Sequence, residues 1–382
     1  MDTTATHGTH DTTEAVLYLA FELSSTRWCL GFTVGMGQRP RRRTIEAGDV
    51  NALQQELQRA KQRFSLAQDV RVVSCYEAGR DGFWLDRYLK SVKIDNRVVD
   101  SSSIEVNRRA RRAKTDRLDL DKLLAMLIRY YGGEEKVWRV VHVPTVAEED
   151  WRQLHRSLKT LKRARTRQIN RLKGLLASQG VRIEMHPDFL ELLAEIRTWD
   201  GSPLPDHLRA RLKREFERLT FTEQQIKAVE AERLELIRSS DDPSIEKVRQ
   251  LLLLKGIGVN GAWLFTMEFF AWRQFRNRRQ VGALAGLTPT PYASGSSNRK
   301  QGISKAGNRH VRGLAIEIAW IWLRYQPDSE LSRWYQERFG HGNSRLRRIG
   351  IVALARKLLI ALWRYLETGL VPTGAILKSK PI

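Results

Sequence analysis

The chain has 382 residues, and its 66 lysines and arginines outnumber its 43 aspartates and glutamates, which gives a formal net charge of +23 at pH 7. This length allows two or three domains with a substantial core. The positive charge is spread along the chain and favours nucleic acid over a membrane surface as the partner. Neither a signal peptide nor an apolar run long enough to span a bilayer is visible. We therefore expect a cytoplasmic protein with no membrane partner.

The amino-terminal part has the pattern of an α/β domain. After a polar tail over 1–14, which we expect to be disordered, apolar patterning predicts strands at 16–23, 27–34, 41–47, 70–78 and 94–99. Helical spacing predicts helices at 50–66, at 82–91 and from about Thr115 onward. Three meandering strands followed by alternating helices and strands are the order of the RNase H-like, or RuvC-like, fold, which we predict for residues 15–145. Cys29 and Cys75 fall in predicted strands and indicate buried thiols.

Residues 146–240 have the spacing of two long helices separated by GSPLP at 201–205. Between Arg152 and Lys173 the first helix has nine lysines and arginines and no acid, so we expect it to lie along a phosphate backbone. The residues predicted to contact phosphate are Arg156, Lys159, Arg163 and Arg167. The second helix repeats an apolar side chain every seven residues, at Leu212, Leu219 and Ile226. We predict a coiled-coil arm, which would serve dimerisation as readily as binding.

Residues 245–382 form a third predicted region, which is mostly α-helical. Gly256-Ile257-Gly258 lies between two apolar helices. It fits two interpretations equally well: a helix-hairpin-helix turn whose backbone amides bind a phosphate, or an ordinary tight turn between helices. Further on, helices flank a polar stretch of small residues at 289–308, PTPYASGSSNRKQGISKAGN, which we predict to be a loop.

Four acidic residues fall where an RNase H-like nuclease holds two divalent metal ions, namely on the first strand, on the fourth strand and on a later helix. Glu22 and Glu77 lie at the ends of the two strands, and Asp116 and Asp119 are three apart on one helical face. Asp121 points away from that face, and we expect it to be solvated. Each acid alone also fits a surface carboxylate or a helix-dipole partner, but four in this order favour a site for two Mg²⁺ ions.

A basic segment directly precedes the aspartates. Its predicted nucleic-acid-binding residues are Arg108, Arg109, Arg111, Arg112 and Lys114. We expect these side chains to attract a polyanion and the neighbouring carboxylates to carry the metals that act on it.

Five segments resemble one known family: YEAGRDGFWLDRYL, AKTDRLDLDKLLA, LLLLKGIG, GALAGLTPTPYASGS and GISKAGNRHVRGL. They look like segments of the DEDD insertion-sequence transposases, the bridge-RNA-guided recombinases of the IS-one-ten and IS-eleven-eleven families. The resemblance covers roughly residues 15–367. It implies a RuvC-like domain, a coiled-coil section and a carboxy-terminal transposase domain with a nucleophilic serine.

The resemblance also implies roles for particular residues. Carried onto this sequence, the four metal-binding acids are Glu22, Glu77, Asp116 and Asp119, and the serine is Ser294. The family normally has Asp at the first of these positions, and Glu22 departs from that pattern while remaining a hard oxygen ligand suited to Mg²⁺. The implied partners are the DNA of the element ends and target, a structured noncoding guide RNA, and further copies of the chain in a dimer or tetramer, an assembly that allows subunits to share an active site.

Ser294 has rivals when it is judged from the residues alone. A serine before glycine is usually a turn residue, Ser296, Ser297 and Ser304 lie nearby, and no adjacent histidine offers itself as a general base. A covalent phosphoserine would conserve the phosphodiester bond for rejoining, which is the chemical reason to expect a serine. The cations predicted to hold the phosphate there are Arg299, Lys300 and Lys305.

Three functions follow from these features. The favoured one is a DNA transposase or recombinase that cuts and rejoins strands through Ser294 with divalent metal. The second is a RuvC-like junction nuclease that uses water and in which Ser294 is structural. The third is a non-catalytic nucleic-acid-binding protein whose carboxylates are helix-terminal charges.

Overall fold

The computed structural model describes residues 15–79, 82–104, 116–294 and 297–379, without the side chains of 116, 292–294 and 297–301. The chain divides into two compact units, Met1–Pro144 and Thr145–Ile382. Each unit has a hydrophobic core of its own.

The first unit is a five-stranded mixed sheet with helices on both faces. Its strands are β1 Val16–Leu23, β2 Arg27–Thr33, β3 Arg41–Glu46, β4 Arg71–Glu77 and β5 Asp95–Val99, in the order β3-β2-β1-β4-β5. The first three strands form an antiparallel meander, and β4 and β5 are parallel to β1. Its helices are α1 Val50–Arg63, α2 Trp84–Ser91 and α3 Asp116–Tyr131. The predicted α/β character and every predicted strand and helix of this unit are confirmed, whereas the predicted cap Thr115 lies outside the described residues.

Both cysteines lie in this sheet, as predicted, and both are free thiols. Cys75 is fully buried on β4, and burial raises the pKa of its thiol far above the ordinary value. Cys29 on β2 is only partly buried.

Helix α3 packs closely against β1 and β2. Gly31 permits this approach, because a Cβ atom there would lie 2.8 Å from Leu124 Cδ1 and 3.0 Å from Leu120 Cγ. At the other end of α3, the Tyr131 hydroxyl donates a hydrogen bond of 2.7 Å to Asp95, the first residue of β5. The carboxyl end of α3 therefore lies at the amino ends of the parallel strands, and the helix runs antiparallel to them.

The second unit is mostly helical. Its helices are α4 Val146–Ala177, α5 Phe189–Leu192, α6 Asp206–Ser239, α7 Pro243–Leu253, α8 Val259–Phe265, α9 Arg278–Leu284, α10 Arg309–Tyr325, α11 Glu330–Tyr335 and α12 Ser344–Thr368. Helix α8 continues into a π-helical segment at Thr266–Phe270. Gly256-Ile257-Gly258 forms the turn between α7 and α8, and phosphate binding by this turn stays a prediction. No helix in the described ranges is both long and apolar enough to cross a membrane.

The predicted arm consists of α4 and α6, which pack as an antiparallel helical hairpin. Arg171 on α4 pairs with Glu215 on α6 at 3.1 Å. The predicted seven-residue repeat of α6 is buried throughout, at Leu212, Leu219 and Ile226. The base of the arm joins the core of the following helices, where Trp151 and Ile237 pack. Supercoiling of the two helices stays a prediction.

The stretch 289–308 is not all loop, and the loop prediction was wrong for most of it. Strands β6 Pro289–Ser294 and β7 Ser297–Ile303 pair antiparallel, with Ser294 opposite Ser297. The two strands are held together by backbone hydrogen bonds, which do not require alternating apolar side chains. The polar sequence of this stretch therefore did not indicate strands. Gly307 lies so close to α9 that a Cβ atom there would be 2.2 Å from the Leu284 carbonyl oxygen, which fixes the base of the hairpin.

Candidate active site and nucleic-acid groove

Glu22 and Glu77 lie on one face of the sheet, at the carboxyl ends of adjacent parallel strands. Ala20 of β1 and Cys75 of β4 are paired in register, and both pack beneath α3. Because side chains alternate along a strand, the next residues on this face are Glu22 and Glu77. Both acids therefore lie on the face that α3 covers.

The amino end of α3 reaches the same edge of the sheet. The 16 residues of α3 give a length of about 24 Å at 1.5 Å per residue, and a seven-residue strand such as β4 spans about 23 Å. Because the helix runs antiparallel to β4, its first turn lies near the end of that strand. Asp116 is the first residue of α3 and Asp119 follows three residues later, half-buried. Glu22, Glu77 and the first turn of α3 thus share one edge.

The donor set at this edge suits a hard divalent cation, since carboxylate oxygens are the ligands that Mg²⁺ prefers in proteins. Glu77 is exposed and Glu22 is half-buried. Among the described side chains, no three His, Cys, Asp or Glu residues lie close enough together to hold a metal ion. The side chain of Asp116, one of the four predicted ligands, lies outside that description.

Asp121 is not simply solvated, and that expectation was wrong. The Nε and Nη2 atoms of Arg42 donate hydrogen bonds of 2.8 and 2.7 Å to its two carboxylate oxygens. Arg42 lies on β3, in register with Gly31, where α3 packs on the sheet. Because Arg42 and Asp121 are 79 residues apart in the chain, the sequence around Asp121 gives no indication of this pairing. Asp121 is therefore held in a structural ion pair, which distinguishes it from Asp119.

Several predicted nucleic-acid contacts fall outside what the structure describes. These are Arg108, Arg109, Arg111, Arg112 and Lys114, and the side chains of Ser294, Arg299 and Lys300. Lys305 is exposed beside the hairpin base, and its carbonyl oxygen accepts a 2.8 Å hydrogen bond from Arg312.

The cations of α4 are not all available to phosphate, because acids from other segments pair with some of them. These pairs are Arg156–Glu268, Lys162–Glu230, Arg171–Glu215 and Lys173–Glu184. Of the four predicted contacts, Arg156 is thus engaged by Glu268. Lys159, Arg163 and Arg167 are spaced four apart and line one groove.

This groove has a volume of about 940 Å³ and lies between α4, α6, α8 and α10. Its floor is apolar, formed by Leu158, Leu264 and Leu314. Its walls carry the cations Lys159, Lys162, Arg163, Arg167, Arg233 and Arg309 together with His155 and His310. Among the described residues that line it, Glu317 is the single acid. Such a surface can bind an anion.

Lys159 and His310 meet inside the groove, with Lys159 Nζ 2.5 Å from His310 Nδ1. Burial lowers the pKa of Lys159, and the nearby charge of Arg163 lowers it further. Burial also lowers the pKa of His310, and Lys159 adds to that effect. Because an ammonium has donors and no acceptor, Lys159 donates to Nδ1 whenever His310 is neutral.

Glu268 is a buried carboxylate that binds residues beside the groove. It is 2% exposed and lies in the π-helical segment. His155 Nε2 and Arg156 Nε each lie 2.9 Å from its Oε1, and the side-chain amide of Asn308 donates to Oε2 at 3.3 Å. Asn308 also caps α10 by accepting from the backbone N–H of His310 at 2.9 Å. Glu268 thus ties α4 to the amino end of α10.

Four residues at this site have no distinctive sequence pattern around them, namely His155, Glu268, Asn308 and His310. The available signal was Glu268 itself, a lone charge in the apolar run WLFTMEFFAW, since an acid is almost never buried without a partner. The identity of that partner is a matter of tertiary structure.

Replacing Glu268 by Gln is expected to lower the free energy of unfolding by about 3 kcal/mol, because it leaves His155 and Arg156 without their carboxylate. Burial raises the pKa of Glu268, but the hydrogen bonds and charges of His155 and Arg156 outweigh burial and hold it well below its ordinary value. The stabilisation is therefore present above the ordinary glutamate pKa and is lost as the pH falls through the depressed one. Chemical denaturation at neutral and acidic pH measures both effects. Glu317→Gln, an exposed change in the same groove, is the control and should shift stability by less than about 0.5 kcal/mol.

Comparison with known proteins identifies the family. A protein-family sequence model described as "Transposase IS116/IS110/IS902 family" matches residues 248–336. The putative transposase y4rJ of Sinorhizobium fredii is 42% identical over 377 residues, which cover 95% of each chain. This chain belongs to the IS116/IS110/IS902 transposase family.

Other members of this transposase group are more distant. A probable family 20 transposase of Pseudomonas aeruginosa is 29% identical over 233 residues, or 60% of this chain and 67% of that one. The transposase for insertion sequence element IS1328 of Yersinia enterocolitica is 27% identical over 213 residues, or 55% of this chain and 60% of that one. The prediction from the motifs is confirmed at the level of this transposase family. The matched segment 248–336 contains Glu268, the hairpin, Asn308 and His310.

Proposed function

We propose that this transposase cuts and rejoins the DNA strands of its insertion sequence as a metal-dependent recombinase. The observation that carries the proposal is the placement of Glu22, Glu77 and the first turn of α3 at the same edge of the first sheet. The strand order β3-β2-β1-β4-β5, an antiparallel meander followed by parallel strands, supports an RNase H-like, RuvC-like assignment for this unit.

In this proposal Glu22, Glu77, Asp116 and Asp119 hold two Mg²⁺ ions. Bound magnesium stabilises the negative charge that develops on the reacting phosphate oxygens. The carboxylates position the ions, and Glu22 replaces the family's usual aspartate with a ligand of the same chemistry and one more methylene.

Ser294 is the proposed nucleophile. Its hydroxyl loses its proton as Oγ forms a bond to a DNA phosphorus, the bond from phosphorus to the leaving sugar oxygen breaks, and that oxygen takes up a proton. A sugar hydroxyl then attacks the phosphoserine, loses its proton, and releases the serine oxygen, which is protonated again. The phosphodiester bond is conserved without external energy. The backbone position of Ser294, the last residue of β6 beside the hairpin turn, supports this role, with Arg299, Lys300 and Lys305 as phosphate-holding cations.

The proposed partners are DNA, a structured guide RNA and further copies of the chain. A net charge of +23 and a basic groove between helices suit recognition of a folded RNA by its shape and backbone, which would leave base pairing to select the DNA target. The helical arm is the proposed dimerisation device.

Removal of RNA is expected to abolish site-specific recombination. The protein would be purified, stripped of RNA with nuclease and high salt, and mixed with magnesium and DNA carrying the element ends and target. Adding back a structured transcript of the element should restore the reaction, and a scrambled transcript of equal length is the control. Recombination at full rate without any RNA would contradict guidance and leave a transposase that reads its own sites.

A further inference from the structure

The groove between α4 and α10 concentrates positive charge from three helices. Lys159, Arg163 and Arg167 come from α4, Arg233 from α6, and Arg309 from α10. Because like charges gathered in a concave, partly apolar site repel one another, this arrangement favours an anionic occupant.

Arg233 gives independent evidence for an anion. It is 1% exposed, and its guanidinium lies 5.1 Å from the ring centre of Trp263. It donates to neutral oxygens only, at 2.8 Å to Asn260 Oδ1 and 3.0 Å to the Val259 carbonyl. Its Nε has no hydrogen-bond partner. The charge of Glu230 acts on it from the same helix, but that carboxylate pairs with Lys162 at 2.7 Å. A buried cation whose hydrogen bonds go to neutral oxygens alone is costly, and a phosphate in the groove would lower that cost.

We propose that this groove is a proton-linked binding site for the phosphodiester backbone of nucleic acid, in which His310 takes up a proton as a phosphate enters beside Lys159. This inference rests on the proposed function and adds to it a specific phosphate site and its pH dependence.

The pairing of Lys159 with His310 is the basis of the proton linkage. In the absence of an anion, Lys159 Nζ lies 2.5 Å from His310 Nδ1, a contact in which an ammonium can only donate and a neutral imidazole accepts. A phosphate oxygen is the stronger acceptor, so Lys159 turns to it. Nδ1 then holds a proton of its own, and the imidazolium adds a second donor to the phosphate.

Charged groups from three elements act on His310. They are Arg156 and Lys159 on α4, Glu268 in the π-helical segment and Arg309 on α10, while Arg163 and Glu317 act on its partner Lys159. The depressed pKa of Glu268 keeps it ionised throughout the neutral range. His155, the other histidine of the groove, is hydrogen-bonded to Glu268, whereas His310 faces Lys159. A comparison with a His310 variant therefore assigns the linked proton.

The sign of the effect follows from the direction of the pKa shift. Without an anion the pKa of His310 lies below its ordinary value, because burial and Lys159 disfavour the charged form. A bound phosphate favours that form and raises the pKa. Affinity therefore increases as the pH falls between the bound and free values, by up to about tenfold per pH unit for one linked proton.

The test compares the wild-type protein with His310→Asn. The asparagine side-chain oxygen can accept from Lys159 as Nδ1 does, but it cannot take up a proton. Affinity for a random-sequence DNA duplex and, separately, for single-stranded RNA would be measured from about pH 8 to about pH 6, which brackets the ordinary histidine pKa. Calorimetry in two buffers of different ionisation enthalpy would count the protons taken up.

We expect equal affinity of the two proteins at the alkaline end, tighter binding by the wild type at the acidic end, and proton uptake in the wild type alone. His341→Asn, an exposed substitution in the same unit, should behave like the wild type. The nucleic acid that shows the proton uptake is the natural occupant of the groove.

A second variant tests the place of binding without changing any charge. Gly313 lines the groove, and a Cβ atom there would meet nothing within 4 Å. Gly313→Leu should fit α10, which gains helix propensity, yet its side chain projects into the groove and should weaken binding about tenfold by obstructing the nucleic-acid backbone. Gly313→Ala, which leaves the groove open, should bind like the wild type.

An identical pH dependence in wild type and His310→Asn, or full affinity in Gly313→Leu, would overturn this inference while leaving the transposase function standing. Failure of the wild type to bind either nucleic acid at any pH would overturn both.

Discussion

Strand transfer is expected to be abolished by each of three substitutions, Glu77→Gln, Asp116→Asn and Asp119→Asn, while DNA binding stays intact or becomes tighter. Each change removes a charged oxygen ligand from the sheet edge at which Glu22, Glu77 and the first turn of α3 lie. The loss of one ligand lowers the affinity for the metal by at least about tenfold. It also removes a negative charge that repels phosphate. Strand transfer on DNA carrying the element ends, measured beside a binding titration, separates the two effects.

Asp121→Asn is the matched control for these variants, because it makes the same chemical change two residues further along α3. Asp121 is engaged by Arg42 on the sheet, and its carboxylate is 34% exposed. Its loss should cost about 1 kcal/mol of stability and leave strand transfer measurable. Strand transfer at the wild-type rate in Asp119→Asn would remove that residue from the metal site.

Glu22 tests the one departure from the family's usual ligand. Glu22→Asp restores the usual aspartate and should keep measurable activity, whereas Glu22→Gln should have none. The outcome that contradicts a ligand role is recombination by Glu22→Gln at the wild-type rate.

Ser294→Ala is expected to eliminate the covalent protein–DNA adduct together with recombination, and to leave folding unchanged, since a residue beside the turn of a two-stranded hairpin contributes little to stability. Labelled DNA incubated with each variant and separated on a denaturing gel reports the adduct. Ser297→Ala is the closest control, because Ser297 lies opposite Ser294 in the same hairpin. An adduct that survives in Ser294→Ala and disappears in Ser297→Ala would transfer the nucleophilic role to Ser297.

The sheet domain was predictable because its signals are local. Strands such as VLYLAFEL and RVVSCYE alternate or concentrate apolar residues over their own length. The same period of two places Glu22 and Glu77 on the α3 face once the register is known. The register that pairs Ala20 with Cys75 is set by packing, which no single segment encodes.

The groove was only half predictable. Lys159, Arg163 and Arg167 recur every four residues, and that spacing alone indicates one cationic face. The opposite wall comes from α10, more than a hundred residues later, and the pairing of Arg156 with Glu268 is not indicated by the spacing of the α4 cations. Long-range ion pairs of this kind follow from tertiary structure and leave no pattern in the sequence of either helix.

The most direct measurement of the central claim is the chemical identity of the strand-transfer intermediate. Protein, element transcript, magnesium and DNA with the element ends would react in water enriched in heavy oxygen, and the quenched products would be digested and analysed by mass spectrometry. The predicted result is a nucleotide attached to the peptide that contains Ser294, with no heavy oxygen in the joined DNA. Cleaved ends that carry heavy oxygen, with no nucleotide on any serine peptide, would contradict the recombinase and identify a water-using nuclease.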